Sequence, residues 1–506
     1  MKRMLVLLLA IAMLLSIPSA SLASNASTPV KTTLIYGMSS EPKGLDPHNM
    51  ADMNAFSVTY ALYDYLVEPD GNGGYKPSLA ETLDVSDDGL VYTFTIRENV
   101  KFHDGSTLTP ADVLFSLNRT ITEDWAYDMT RYIANVALNE SNQIVITLSE
   151  AFNGILGSLA CPFFAIMSEA YVSAIDNAEN KRAPMGTGAY KLKEWINGQQ
   201  IVLEAFEDYF QGAPAIKTIT LKPVPDKNAA FIALESGQID AYRDVNPADI
   251  PSIQSNDNLS LYSTPAASVL TLSLNSAVAP LNDPKLRQAI AHAINRDDII
   301  IAALEGDAAA ANSNIPPALD GYNPDSVQLS FDVELAKQLL AESAYPDGLT
   351  LTLKLSENNT YQKVAQILQA NLKQIGIDVV IDIMEGGAFS SDIYEKSNFE
   401  LSISSWSAMF LDAYSLMFCQ YHSESFTFIG NTAQIKDPAL DALLNAAAIA
   451  SADDKVASYE LCTQYIADEA LMLPLAFTNA TITTNAALQG ITPNALGLYY
   501  FKDLSW

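Results

Sequence analysis

Residues 62–119 read LYDYLVEPDGNGGYKPSLAETLDVSDDGLVYTFTIRENVKFHDGSTLTPADVLFSLNR. A turn cluster at 69–74 is followed by a short helical run predicted from Pro77 to Leu83 and a turn at Asp87-Asp88-Gly89. Then Leu90, Tyr92, Phe94 and Ile96 alternate along a predicted strand. His103-Asp104-Gly105 turns the chain again. Thr109-Pro110 opens a helix: Thr109 can cap it, Pro110 fits its first position, and Asp112 sits in the positive first turn. Val113 and Leu117, four residues apart, give that helix one apolar side. No step in this stretch requires chemistry, and its residues read as scaffold.

Working outward, the chain is 506 residues long and 49% hydrophobic, enough for two or three domains with sizeable cores. Lys2 and Arg3 precede an apolar run from Leu5 to Leu15, too short to span a bilayer. Pro18 and Ser21-Leu22-Ala23 follow, which reads as a signal peptide over 1–23, cut after Ala23 or, second, after Ala26. No cysteine lies there to take a lipid, and no later run has transmembrane length. The expected product is exported, with the periplasm as its address. The formal net charge is −31, and loss of Lys2 and Arg3 makes it more negative, so nucleic acid and anionic lipid are excluded as partners. Cys161, Cys419 and Cys462 permit one disulfide; Cys419 with Cys462 is the favoured pair, and a buried free thiol is equally open.

In chain order, Lys31 to Gly37 reads as a strand and Asp52 to Leu66 as a helix. Pro184-Met185-Gly186-Thr187-Gly188 contains a GxG pair. A strand rather than a helix follows it, which excludes a phosphate loop. The alanine-rich 302–311 suits a helix end and a loop. Leu349, Leu351, Leu353 and Leu355 form the clearest strand. An amphipathic helix from Thr360 to Ile375 then turns Val364, Ile367, Leu368 and Leu372 inward and ends at Gly376, before a strand from Ile377 to Met384. Such a unit is parallel and right-handed. Phe399 to Ser405 gives a further strand, Pro438 to Ala450 and Lys455 to Ala470 give helices, and 471–506 has strand character that rejoins the first domain.

Catalytic signatures (GxSxG, HExxH, Walker, EF-hand) are missing, and no cofactor motif is present. His48, His103, His292 and His422 show no metal-ligand spacing, and His48 with Asp46 is a minor candidate. Positional reasoning favours binding. In open α/β sheets, ligands sit beyond the carboxyl ends of the strands. In the last large region those ends are Ser356 to Tyr361, Glu385 to Phe389 and Trp406 to Asp412. Trp406, Phe410 and Tyr414 among small residues suit a pocket wall.

The order of motifs in 62–119 resembles the family 5 extracellular solute-binding proteins, the oligopeptide and dipeptide receptors of ABC importers. "ALxSGxIDA" at Ala233 to Ala241, the GTG segment, and Leu281 to Ile299 extend the resemblance along the mature chain. It implies an α/β fold, the two-lobed periplasmic binding protein fold with a hinge and an extra small domain. The large lobe would comprise 31–66, 182–280 and 472–506, the small accessory α+β domain 67–181, and the second lobe 281–471. It implies a monomeric receptor that captures a peptide or similar solute between closing lobes and delivers it to permease subunits in the inner membrane, without catalysis or cofactor. The alternative is a secreted hydrolase using cleft carboxylates. The expected ligand contacts are Ser39, Ser40, Glu41, Tyr361, Lys363, Trp406, Ser407, Met409, Phe410 and Asp412. In the peptide receptors a "W-x-x-D" aspartate holds the ligand's amino group; here that position is Met409, with Asp412 or Glu41 as replacements. A basic residue for the ligand carboxylate falls near Gln362 and Lys363, so Lys363 is its expected counterpart.

Overall fold

The computed structural model describes residues 31–49, 53–70, 74–123, 126–175, 181–425 and 430–506. The expected signal peptide at 1–23, with both cleavage positions, lies outside them. The remainder, Thr32–Trp506, clusters as one compact unit.

The strands in chain order are β1 (Thr33–Met38), β2 (Val67–Pro69), β3 (Tyr75–Pro77), β4 (Ala80–Val85), β5 (Val91–Ile96), β6 (Ile133–Leu138), β7 (Ile144–Leu148), β8 (Tyr190–Ile196) and β9 (Gln200–Ala205). They continue with β10 (Thr218–Pro223), β11 (Ala241–Arg243), β12 (Leu259–Leu274), β13 (Ala308–Ala310), β14 (Leu349–Ser356), β15 (Ile377–Met384), β16 (Leu401–Ser407) and β17 (Met472–Asn485). One sheet runs β15-β14-β16-β12-β17-β11-β1-β10-β9-β8, with β13 added on β17. A separate four-stranded antiparallel sheet, β4-β5-β7-β6, and the β2–β3 pair hold the 62–119 stretch.

Two expectations in that stretch divide. The helix arrives as α2 (Pro110–Ile121), following α1 (Met53–Leu62), with a full capping box between Thr109 and Asp112. The helical run from Pro77 to Leu83 does not form; those residues enter β3 and β4. Leu83 pairs with Phe94 and Val85 with Tyr92, so the aromatic and β-branched residues of β5 recruit a neighbour whose own preference is helical. Likewise the alanine run near 308 is a strand, β13, rather than a loop, because β17 offers it an open ladder. The expected Asp52–Leu66 helix stops at Leu62, whose carbonyl accepts the Gly188 N–H at 3.0 Å. This contact explains the GTG motif. A Cβ on Gly188 would lie 2.4 Å from the Leu62 carbonyl carbon and 2.6 Å from the Tyr63 nitrogen. The glycines permit a close backbone crossing, not phosphate binding.

The unit from β14 through α3 (Asn359–Lys373) to β15 is parallel, from Leu349 opposite Ile377 to Ser356 opposite Met384. Val364, Leu368 and Leu372 are buried on its inner side and Gly376 adopts a φ of +90° after its end. None of Cys161, Cys419 and Cys462 is in a disulfide; each is buried as a thiol, which corrects the favoured Cys419–Cys462 pair.

Two long strands tie the sheet together. β12 and β17 pair antiparallel, from Leu259 opposite Asn485 to Ser273 opposite Met472. Their outer partners change along the way: β17 pairs with β11 through Thr484 to Ile482, whereas β12 pairs with β16 from Ser268 onward. At the changeover the register slips, and Ala266, Ala267 and Ser268 face the single residue Thr478. Pro265 has no N–H to donate, so the ladder opens there.

Candidate functional site

A cavity of about 310 Å³ sits at that opening, at the lower end of the roughly 300–1,000 Å³ usual for small-ligand pockets. Ala266 to Ser268 of β12 and Thr478 to Thr481 of β17 form its floor. Arg243 and Asp244 at the end of β11, Lys227, and the Ala495–Gly497 loop stand on one side. Asn358, Thr360 and Tyr361 at the start of α3 stand on the other with Ser405 and Ser407 of β16. The bulged backbone is not left unsatisfied: Ala267 donates to the Ala495 carbonyl at 2.7 Å and accepts from Ala408 at 2.8 Å.

Strand alternation decides which residues of β16 look into this space. Ser405 and Ser407 are exposed to it, while Trp406 between them is 7% exposed on the opposite face. There Trp406 meets Tyr394 edge-on, with ring centroids 5.9 Å apart, in the same buried cluster as Val269 and Phe477. Phe410 and Tyr414 belong to that cluster. Tyr414 packs against Phe152 at 4.7 Å and donates from its hydroxyl to the Asp128 carbonyl at 2.5 Å. The expected aromatic wall is thus a core that bonds the Trp406 region to the 62–175 stretch.

Of the ten expected contacts, Tyr361 and Ser407 line the cavity. Burial raises the Tyr361 phenol to about 12, and its hydroxyl is hydrogen-bonded to the Ser405 backbone. Ser39 and Ser40 hydrogen-bond Asn54, and Glu41 accepts from the Trp195 indole at 2.5 Å and from Gly198 N–H at 2.6 Å. Lys363 is exposed and paired with Glu305 at 2.8 Å. Met409 packs partly buried against the aromatic core.

Asp412 has a structural role. It caps α4 (Ala413–Tyr421) by accepting from Tyr414 N–H at 2.8 Å. Its other oxygen takes the Lys455 ammonium at 2.5 Å, and Lys455 reaches Asp320 at 2.7 Å. The two carboxylates hold Lys455 charged against the burial that opposes it. The minor candidate Asp46 is likewise engaged: Arg119 grips both its oxygens, at 2.9 and 2.7 Å, and His48 Nε2 meets the Ala165 carbonyl at 2.8 Å. Among the described residues, no cluster of three or more His, Cys, Asp or Glu side chains is placed to hold a metal.

Arg243 and Lys227 were not expected. The strand-end rule finds Arg243 when it is applied to the β1–β11 part of the sheet as well: β1 and β11 are parallel, and Arg243 is the final residue of β11.

Residues 74–428 match the model of the bacterial extracellular solute-binding proteins, family 5 Middle. The chain is 32% identical over 373 residues, 72% of each protein, to the glutathione-binding protein GsiB of Salmonella typhi. It superposes with a TM-score of 0.84, at 25% identity, on the periplasmic binding protein DppA of Helicobacter pylori in complex with the peptide STSA, covering 94% of this chain and 98% of that one. The binding protein AgaA of A. tumefaciens R10, in complex with agropinic acid, also gives 0.84, at 26% identity and the same coverages.

Proposed function

From the premise that this chain belongs to family 5 of the bacterial extracellular solute-binding proteins, we propose that it holds its solute in the cavity at the β12–β17 opening. The protein is a substrate-binding receptor of an ABC importer for a peptide or similar small solute, with the two-lobed α/β fold of its relatives. Residues 31–66, 182–280 and 472–506 form one lobe in this reading, 281–471 the other, and 67–181 the small accessory domain. Ligand favours the closed arrangement by its differential affinity for it, and the closed protein is then read by permease subunits. The chain acts as an exported, periplasmic monomer.

The observation that carries the placement is the partner change in the sheet. The cavity floor is where the β12–β17 ladder, which joins the two halves of the sheet, slips as its outer partners change from β11 to β16. A solute there touches Tyr361, Ser405 and Ser407 from one side and Arg243 and Lys227 from the other. Hydrolysis finds no support in the proposed acid: Asp412 is 6% exposed and already bound to Lys455.

Mass spectrometry of the natively purified protein, followed by calorimetry with the molecule released, tests the reading. A retained small solute whose affinity falls at least tenfold in Ser407→Tyr, about 1.4 kcal/mol, is the expected result. Unchanged affinity in that variant moves the site elsewhere.

A further inference from the structure

The peptide-receptor pattern supplies an acid for the ligand's amino end and a base for its carboxylate. Here Met409 replaces the acid, Asp412 is bound to Lys455, and Lys363 is spent on Glu305 in solvent. Charge nevertheless remains in the cavity, on the opposite wall. Arg243 uses Nε on Asp244 at 2.9 Å. Among the described residues neither terminal nitrogen of its guanidinium has a hydrogen-bond partner, and Nη1 is buried without one. An unpaired buried donor of this kind calls for a water, an ion or a ligand group.

The local backbone accounts for this presentation. Neighbours on a strand point to opposite faces, yet Asp244 has a φ of +58°, and its carboxylate swings back beside the Arg243 side chain. That fixes the guanidinium from its Nε edge and leaves the terminal pair of nitrogens for a planar two-oxygen partner. Gly497, with a φ of +69°, passes over the arginine where a Cβ would come within 3.8 Å of Nη1. Lys227 lines the same corner and, among the described residues, has no ion-pair partner; burial, with Arg243 nearby, lowers its pKa, and Asp244 opposes this only in part. The two acids of the cavity are both engaged, Asp244 with Arg243 and Asp307 with the Asn479 amide at 2.8 Å. In a chain with 28 basic and 59 acidic residues, a lining that sets two cations against two carboxylates is locally neutral, and its open donors lie on Arg243 and Lys227.

We propose that Arg243 and Lys227 form an anion subsite for a carboxylate of the solute. The ligand is then a small organic acid, such as a short peptide with a free C-terminus or an acid-ended amino-acid conjugate. Its carboxylate points to the end of β11 rather than to α3. Hydroxyls and amides of Ser268, Ser405, Ser407, Thr478 and Asn358 serve its polar body. The inference rests on the receptor reading above and deepens it.

The test is a thermal-shift and calorimetric screen of the mature protein. It uses di- to tetrapeptides, glutathione and amino-acid–sugar conjugates, each as the free acid and as the primary amide. Binding is expected among free acids and lost among their amides. Arg243→Met and Lys227→Met each weaken the free acids at least tenfold, while Lys363→Met leaves them unchanged. Melting of each ligand-free variant shows that it folds, and Lys227, the less buried of the two, carries the test if Arg243→Met does not. Binders whose affinity is indifferent to amidation, or to both substitutions, overturn the anion subsite and leave the receptor standing. Absence of any binder overturns the receptor reading, and the subsite with it.

Discussion

Replacing Lys455 by Met separates a structural acid from a ligand-binding one. Lys455 begins α5 (Lys455–Asp468), and its side chain is 5% exposed; the side chains of its partners Asp412 and Asp320 are 9% and 67% exposed. The pair with exposed Asp320 is screened and contributes under about 1 kcal/mol. The pair with Asp412 is buried, and removal of one member leaves a carboxylate without its counter-charge, at a cost of about 3–5 kcal/mol. Asp412→Asn differs: asparagine caps a helix as well as aspartate, and Lys455 keeps Asp320, so about 1–3 kcal/mol is expected. In the double variant no charge is stranded, and its loss falls below that of Lys455→Met alone. The cycle therefore yields a coupling energy above about 1 kcal/mol. Urea unfolding followed by circular dichroism measures all four corners, and calorimetry of the copurified solute is run on each. An intact affinity in Asp412→Asn with this coupling places the pair in the scaffold. A coupling near zero, or loss of solute binding in Asp412→Asn at unchanged stability, refutes the assignment.

Gly188→Ala forces a Cβ against the backbone of residues 61–63, which cannot yield as a side chain does, so a loss of at least about 1–3 kcal/mol is expected as a lowered melting temperature; wild-type melting would show that the crossing is slack. His48 and His103 are buried with pKa values lowered to about 4, so the unfolded chain binds the extra protons and stability falls as pH drops from 6.5 toward 4. Asp64 and Asp128, raised by burial to about 6, act oppositely between about 6 and 3.8. Wild-type stability should therefore be nearly level from pH 6 to 4. An Asp64→Asn, Asp128→Asn variant should slope downward toward acid by about 1.4 kcal/mol per pH unit for each histidine, and a level profile in that variant would contradict the burial argument. Stopped-flow association of an anionic binder should accelerate between about 0.01 and 0.15 M salt, because the net charge of −31 repels it at long range; acceleration at low salt instead would mean that the cavity cations dominate the distant field.

Periodicity made the strand-helix-strand unit of 349–384 legible. The alternation of Leu349 to Leu355 and the inward residues of 360–375 define β14, α3 and β15, because each pattern has a single buried face to satisfy. The Pro77–Leu83 run has a local helical preference that its pairing with β5, across a turn, overrides. The site was less accessible. Of the expected contacts, Tyr361 and Ser407 at the strand ends line the cavity, while Trp406 lies on the opposite face of the same strand and packs in the core: along a strand, one residue separates the two faces. Arg243 depends on β11 being parallel to β1 across two hundred residues, a pairing no local pattern declares.

The position of the cavity also bears on how a solute could act on the protein. A pocket inside one half of the sheet could be filled without consequence for the other half. Here the floor is the slipped segment of β12 and β17, where the ladder has three residues against one. Arg243 is anchored to the β11 side, Tyr361 and Ser407 to the β14–β16 side. A ligand that holds both can do so only over a narrow range of angles between them, so its binding energy is differential between arrangements, which is the condition for driving closure. In that reading, larger side chains at Ala266, Ala267 and Ser268 would fill the cavity floor, so their substitution by Val or Leu should lower solute affinity.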